Sequence, residues 1–280
     1  MRLAPFVLTA VLLAPAAAVA APAPVLEQEQ VVPLVNTERP AVRGVARFTH
    51  TLRAHPGRWT PQRTSTSYQW LRDGAPIAGA TGRRYELATD DVGTSVQVMV
   101  TAAADGFEPA AAVSRPRTVT YRVDRRRVVT YHVETRGRIS ASLKEFRRQA
   151  QRTYDDPRGW RNGGVQFRRV PSGGDFTLVL AEASWLPRFS GTCSTLWSCR
   201  VGRFVIINQA RWLGASPAWR AAGRSVRDYR NLVVNHETGH WLGRGHVGCP
   251  GPGQPAPVMM QQSKGTGGCR FNPWPRRDEL

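Results

Sequence analysis

Residues 235–246 read NHETGHWLGRGH and carry the strongest chemical signal in this chain. Three histidines recur there in the pattern H-E-x-x-H-x-x-G-x-x-H. Residues four apart on an α-helix lie one turn from each other on the same face, so His236 and His240 can direct their rings at one metal ion. Three imidazole ligands that leave a fourth position open are typical of a catalytic zinc site. The sequence therefore predicts that His236, His240 and His246 bind Zn²⁺.

Two other residues of this stretch have predicted roles. Glu237 follows His236 on the helix, where its carboxylate can lie beside a metal-activated water and act as general base. Gly243 lacks a Cβ atom and tolerates a positive φ, so it can end the helix and let the chain turn until His246 reaches the metal. Together these residues predict a zinc hydrolase. A zinc ion with no catalytic role is one alternative, and a stretch that binds no metal is the other.

This stretch resembles the zinc signature of the metzincin metallopeptidases, whose second hallmark is a methionine-containing turn below the metal. Residues 256–260 read APVMM and fit that turn. Met259 is the better candidate for the turn methionine and Met260 is the alternative. The resemblance implies that its thioether packs beneath the ligands without binding the metal. Gln261 stands where many metzincins carry a tyrosine, so no tyrosine ligand is implied. Two core methionines in a loop are the other interpretation.

A wider part of the C-terminal half is similar to a family of secreted actinobacterial proteins known only as a domain of unknown function. The similar segments read CRVGRFVIIN at 199–208, VMMQQ at 258–262 and GCRFNPWP at 268–275. The similarity strengthens the assignment of one domain to this half. It implies no substrate.

The first 20 residues have the layout of a secretory signal peptide. Arg2 precedes an apolar segment, and small residues end at Ala20, where we expect cleavage. A retained N-terminal anchor is the alternative. No later segment approaches the roughly 18 apolar residues that a membrane span needs. The sequence therefore predicts a secreted protein, extracellular or associated with the cell wall, without a membrane span after signal cleavage.

All four cysteines lie in the C-terminal half, and their even number suits disulfides in an oxidising compartment. Three pairings are possible. We favour Cys193 with Cys199 and Cys249 with Cys269, because each bond closes a short loop and the second would brace the segment around Met259. A second metal site built on cysteines is the alternative, although no C-x-x-C spacing is present.

The formal net charge is +19, and nearly all of this surplus lies in residues 119–280. Such a field attracts acidic substrates and polyanions. Only Lys144 and Lys264 are lysines in this half, so the arginines can equally reflect a GC-rich genome. We expect a monomer that acts on a peptide or protein, with an anionic cell-surface polymer as a further candidate partner and no nucleic acid. The last four residues, RDEL, resemble an endoplasmic-reticulum retention tail, which we interpret as coincidence in a bacterial protein.

Residues 21–40 are rich in Pro, Ala and Gln and are predicted to be a linker. Between 41 and 118, short alternating segments separated by turn signals favour a small β-sandwich. The segment YQWLRDG at 68–74 resembles bacterial immunoglobulin-like repeats, which implies that Trp70 is the core tryptophan of the third strand. Such repeats imply a spacer, with an adhesive module as the alternative.

Residues 119–280 are predicted to alternate strands and helices, which implies a twisted mixed sheet backed by helices. Strands are expected near 128–133, 165–167, 176–180 and 204–207, with a helix from 140 to about 154. The last helix is expected to begin near Ser225, a good N-cap, and to carry the metal ligands. The predicted fold is an all-β immunoglobulin-like sandwich followed by an α+β metzincin-like zinc-protease domain with an active-site helix.

The predicted function is that of a secreted zinc endopeptidase with Glu237 as general base. Two alternatives remain open. One is a zinc amidase or peptidase that acts on cell-wall peptides, and the other is a non-catalytic surface or polyanion-binding protein. The short segment after His246 leaves no indication of side-chain specificity.

Overall fold

A computed structural model describes residues 32–62 and 64–280. The predicted signal peptide and residues 21–31 of the predicted linker lie outside the described residues. The described chain mixes many strands with few helices, as the sequence predicts. None of the described helices is long and apolar enough to cross a membrane.

Short strands make up the described chain as far as Thr118. Their bounds are β1 Val32–Pro33, β2 Val35–Glu38, β3 Ala41–Arg43, β4 Thr51–His55, β5 Arg58–Thr60, β6 Ser65–Arg72, β7 Ala75–Pro76, β8 Arg84–Glu86, β9 Ser95–Ala103, β10 Phe107–Glu108, β11 Ala110–Val113 and β12 Arg117–Thr118.

The longest of these strands, β6 and β9, pair antiparallel and form the centre of a sheet with the order β11-β9-β6-β7, in which β12 also pairs with β9. Every second residue of β9 is buried, as expected for a strand with one face on a core. Trp70 is fully buried, stacks on Tyr85 and donates its indole N–H to the Gly82 carbonyl. The short alternating strands predicted between 41 and 118 are therefore confirmed, while the immunoglobulin-like assignment stays a prediction.

The second part of the chain forms one five-stranded sheet with helices. Its elements are β13 Arg127–Arg136, α1 Leu143–Asp155, β14 Val165–Arg169, β15 Phe176–Ala181, β16 Cys199–Val201, β17 Phe204–Asn208, α2 Gln209–Gly214, α3 Pro217–Ala221 and α4 Val226–Trp241. The strand order is β14-β13-β15-β17-β16. The first four strands are parallel, and β16 is an antiparallel edge strand. The predicted mixed sheet is confirmed.

Burial explains why these segments form the core. Every residue of the apolar strand β15 is buried, which is typical of a central parallel strand covered on both faces. Helix α1 buries Phe146 and Ala150, as its spacing predicts, against the same cluster as the sheet. The helix begins at Leu143 and not at residue 140, because the Ser142 side chain accepts a hydrogen bond from the Glu145 N–H and caps it.

Helix α4 presents the metal-binding stretch. The predicted N-cap is confirmed, since Ser225 Oγ accepts a hydrogen bond of 3.0 Å from the Asp228 N–H. At the other end Gly243 has a φ of +88°, its N–H bonds to the His240 carbonyl, and the Arg244 N–H bonds to the Gly239 carbonyl. This pair of bonds is the Schellman motif that ends helices at a glycine. The chain therefore leaves the helix where the sequence predicts.

Candidate metal centre

The turn at Gly243 brings the three predicted ligands together. His236 and His240 lie one turn apart near the end of α4, and His246 follows in the loop. The Nε2 atom of His240 lies 3.2 Å from that of His236 and 3.0 Å from that of His246. One ring nitrogen from each histidine lies within 4.8 Å of the others, so the three can hold one metal ion.

Hydrogen bonds at the far side of two rings fix which nitrogen faces the centre. His236 Nδ1 lies 2.8 Å from the Val258 carbonyl oxygen, and His240 Nδ1 lies 2.8 Å from that of Arg244. A carbonyl oxygen only accepts, so each Nδ1 carries the proton and donates it. Each Nε2 then presents a lone pair to the centre, which is the usual arrangement around histidine ligands. The donor set fits a divalent metal ion that prefers nitrogen.

The site also controls the charge of its residues. Burial lowers the pKa of His236 to about 3, and burial is likewise the main cause that lowers the pKa of His240 and of His246. All three rings are thus neutral near pH 7, the form that binds a metal. Glu237 is 6% exposed, and burial raises its pKa to about 8 against the opposing charge of Arg200.

The floor of the site consists of a methionine packed against a glycine of α4. Met259 is buried, and its Sδ and the Trp160 ring occupy the space where a side chain on Gly239 would lie. Met260 instead lines the open cleft above. Met259 is therefore the methionine that packs against α4, while its role beneath the metal ligands stays a prediction.

The residue that supports the segment around Met259 is not recognisable from the sequence alone. Glu279, in the C-terminal tail, accepts hydrogen bonds from the N–H groups of Val258 at 2.9 Å, Met259 at 2.8 Å and Arg276 at 2.8 Å. Gln262 adds a bond from its side-chain amide to the Pro257 carbonyl. A buried carboxylate far along the chain leaves no local sequence pattern, and the tail read alone suggested only a coincidental retention signal.

Both favoured disulfides are present, Cys193–Cys199 and Cys249–Cys269. The first borders a cleft of about 360 Å³ that opens over the histidines, and the second ties the chain on either side of Met259. Besides α4 and His246, two further segments line the cleft. Their lining residues are Thr192, Cys193, Ser194, Trp197, Ser198, Cys199 and Arg200 in the first, and Met260, Gln261, Gln262, Ser263 and Lys264 in the second.

The fold and the site define a mixed α and β protein with a three-histidine centre at the foot of an open cleft. The chain belongs to the family described as protein of unknown function (DUF3152), whose model matches residues 114–276. That match covers more than half of the chain and includes the three histidines, Glu237 and Met259. A search of the curated proteins finds no match.

Proposed function

We propose that the protein is a secreted zinc-dependent endopeptidase. The observation that carries the proposal is the convergence of three imidazole nitrogens, two from the end of α4 and one from the loop after it, beside a buried carboxylate in a cleft open to substrate. Two hydrogen-bonded tautomers and an all-nitrogen donor set fit zinc, which proteins bind through three histidines in catalytic sites. The two disulfides suit an oxidising compartment.

When bound, zinc lowers the pKa of water and polarises a carbonyl group. The protein's own contribution to hydrolysis comes from Glu237. Its carboxylate accepts a proton from the attacking water as the new C–O bond forms, and it then donates that proton to the leaving nitrogen as the C–N bond breaks. Burial favours the protonated form of this carboxyl group, which assists the donation of its proton to the leaving nitrogen.

The edge strand β16 supports a peptide as the substrate. Among the described strands it pairs with β17 alone, and its residues Cys199 and Arg200 line the cleft. An extended peptide can add to such an edge through main-chain hydrogen bonds, with its side chains alternating between the cleft and solvent. The cleft is open, which favours cleavage within a chain over cleavage of a small enclosed molecule.

The test uses the protein purified without its predicted signal peptide and loaded with zinc. We expect it to cleave casein or members of a peptide library, to lose this activity with a chelator, and to regain it with zinc. Glu237→Ala should abolish turnover while metal analysis still finds one zinc per chain. Peptidoglycan digested in parallel separates a cell-wall amidase from a general endopeptidase. A zinc-loaded protein that cleaves no peptide in the library contradicts the proposal.

A further inference from the structure

The cleft contains an excess of positive charge. Apart from the histidines, the lining residues that can carry a charge are Arg200, Glu237 and Lys264. Glu237 is the buried group to which we assign proton transfer. Glu237 is thus the only carboxylate among the residues that line the cleft. A substrate that enters the cleft meets a positively charged surface.

Both cations line the cleft from separate segments. Arg200 lies in β16, and Lys264 ends a short 3₁₀ helix. Burial raises the pKa of Glu237 and lowers that of His240, and the charge of Arg200 opposes the first shift and adds to the second. The pKa of His246 is lowered by burial, then by His240, then by the charge of Lys264. Because both cations line the same cleft as the three histidines and Glu237, they can contact the groups that flank the scissile bond of a bound peptide.

Within the described part of the chain, the Arg200 guanidinium is free to bind a ligand. None of the ion pairs within residues 32–62 and 64–280 includes Arg200 or Lys264. Arg158, by contrast, donates two side-chain hydrogen bonds to the Asp156 carboxylate. Arg200 is exposed to the cleft, and the planar guanidinium matches a carboxylate through two parallel hydrogen bonds.

We propose that the cleft selects peptides with a carboxylate next to the scissile bond, and that Arg200, assisted by Lys264, binds this carboxylate. The inference rests on the proposed endopeptidase function and names its substrate class. The carboxylate belongs either to an Asp or Glu side chain or to the C-terminus of the peptide. Arg200 and Lys264 can bind a carboxylate of either kind, and matched peptides distinguish the two.

Peptides with blocked ends carry Glu, Gln or Lys at each position that flanks the cleaved bond, and a further pair ends in a free carboxylate or an amide. We expect kcat/KM for the Glu peptides to exceed that for the Gln peptides roughly 5- to 10-fold. The advantage should shrink when the salt concentration is raised to about 0.5 M. A gain from the free C-terminus, without one from internal Glu, assigns the carboxylate to the peptide end.

Substitutions of Arg200 test whether this residue causes the preference for Glu peptides. Arg200→Gln should remove the advantage of the Glu peptides, and Arg200→Glu should reverse it in favour of Lys peptides. Arg203→Gln is the matched control, because Arg203 lies just after the same strand, bonds to the Gly174 carbonyl and does not line the cleft. This control should keep the preference of the original protein.

A binding measurement gives a second readout that needs no turnover. Labelled Glu and Gln peptides are titrated with the Glu237→Gln protein and followed by fluorescence anisotropy, with and without the added change Arg200→Gln. Equal rates and equal affinities for the two peptides overturn this inference and leave the endopeptidase proposal intact. If no peptide is cleaved, the endopeptidase proposal fails, and the anisotropy alone decides whether Arg200 binds a carboxylate.

A separate observation links the C-terminal tail to the first metal ligand. Glu279 is 7% exposed, and its two oxygens accept hydrogen bonds from the N–H groups of Val258 and Met259. The carbonyl of Val258 accepts the proton of His236 Nδ1. Hydrogen bonds in such a chain polarise and strengthen one another. The carboxylate therefore fixes the peptide unit that orients the His236 ring.

We infer that Glu279 is a positioning residue of the metal centre, and this inference rests on metal binding at the three histidines. Glu279→Gln replaces one accepting oxygen with an amide that faces an N–H group. Outer contacts of metal-bound histidines typically change metal affinity about 10- to 100-fold, and we expect a loss in that range. The visible absorption of the Co²⁺-substituted protein should also shift, because the His236 ring is reoriented.

Asp278→Asn is the matched control, since the Asp278 side chain is 65% exposed and pairs only with Arg276 among the described residues. It should keep the affinity and the Co²⁺ spectrum of the original protein. If circular dichroism shows that Glu279→Gln does not fold, Glu279→Asp takes its place with the same expectation. A folded variant with unchanged affinity and spectrum overturns the inference. An original protein that binds no metal overturns the proposed metal centre itself.

Discussion

At the residue scale, the ligand triad makes the sharpest prediction. His240→Ala removes the central ligand, whose Nε2 lies beside those of both other histidines. Changes at the outer contacts of histidine ligands lower metal affinity by up to about 100-fold. We expect a larger loss in His240→Ala, because only two of the three ligands remain. Competition with a chelator measures the loss. His132→Ala is the control, since His132 pairs with Glu134 in β13 and should leave affinity unchanged. One tightly held metal per chain in His240→Ala would rule out this ligand assignment.

The contact between Gly239 and the floor gives a second residue-scale prediction. A Cβ atom at Gly239 would lie 2.8 Å from the Trp160 ring and closer still to the Met259 sulfur. Overpacking of a tight core costs about 1–3 kcal/mol, which exceeds the gain of about 1 kcal/mol from placing Ala in a helix. Gly239→Ala should therefore lower the free energy of unfolding in urea by about 1 kcal/mol. Gly214→Ala, at a helical position with nothing within 4 Å, is the control, and a stabilised Gly239→Ala would refute the packing argument.

The sequence predicts the ligands and not their support, for a physical reason. His236 and His240 are recognisable because helix geometry converts a spacing of four into proximity. Glu279 is separated from Val258 by 21 positions, and only the folded chain brings the two together. Arg200 stands out just as little before folding, as one among 39 basic residues.

At the element scale, the disulfides differ in what they hold. Cys249 and Cys269 are 20 positions apart and enclose the segment with Met259, whereas Cys193 and Cys199 are 6 apart. Loop-closure entropy predicts that breaking the longer loop costs about 3 kcal/mol, about 1 kcal/mol more than breaking the shorter. Denaturant unfolding of Cys249→Ser/Cys269→Ser and of Cys193→Ser/Cys199→Ser measures both. We expect metal affinity to fall in Cys249→Ser/Cys269→Ser. An unchanged affinity in this variant would show that the Cys249–Cys269 disulfide does not support the site.

Elements were predictable where a local pattern sets them. The N-cap Ser225 and the terminating Gly243 fix both ends of α4, and alternation marks β6 and β9. The edge strand β16 is three residues long and depends on its pairing with β17, so no periodicity in the sequence predicts it. The order of strands in the sheet likewise depends on contacts between distant segments, so the sequence of a single segment does not predict it.

At the scale of the whole molecule, the two largest hydrophobic clusters share no residue. One contains Trp70 and the strands up to β12, and the other contains the sheet behind α4 together with Met259. A ligand that binds only the folded state stabilises the part it contacts, by about 2.7 kcal/mol at 100 times its dissociation constant. We therefore expect calorimetry to resolve two unfolding transitions. Zinc should raise the midpoint temperature only of the transition that belongs to the cluster with Met259.

A substitution in the first cluster provides the reciprocal test. Asp91 is fully buried and accepts hydrogen bonds from Arg72 at 2.8 Å, Tyr85 at 2.9 Å and the Ala88 N–H at 2.7 Å. Asp91→Ala leaves these donors without a partner, and breaking a buried pair costs about 3 kcal/mol. The midpoint of the first transition should fall while the zinc-dependent one stays in place. A single transition that moves with both changes would mean that the two clusters unfold as one unit, and that the metal centre stabilises the entire chain.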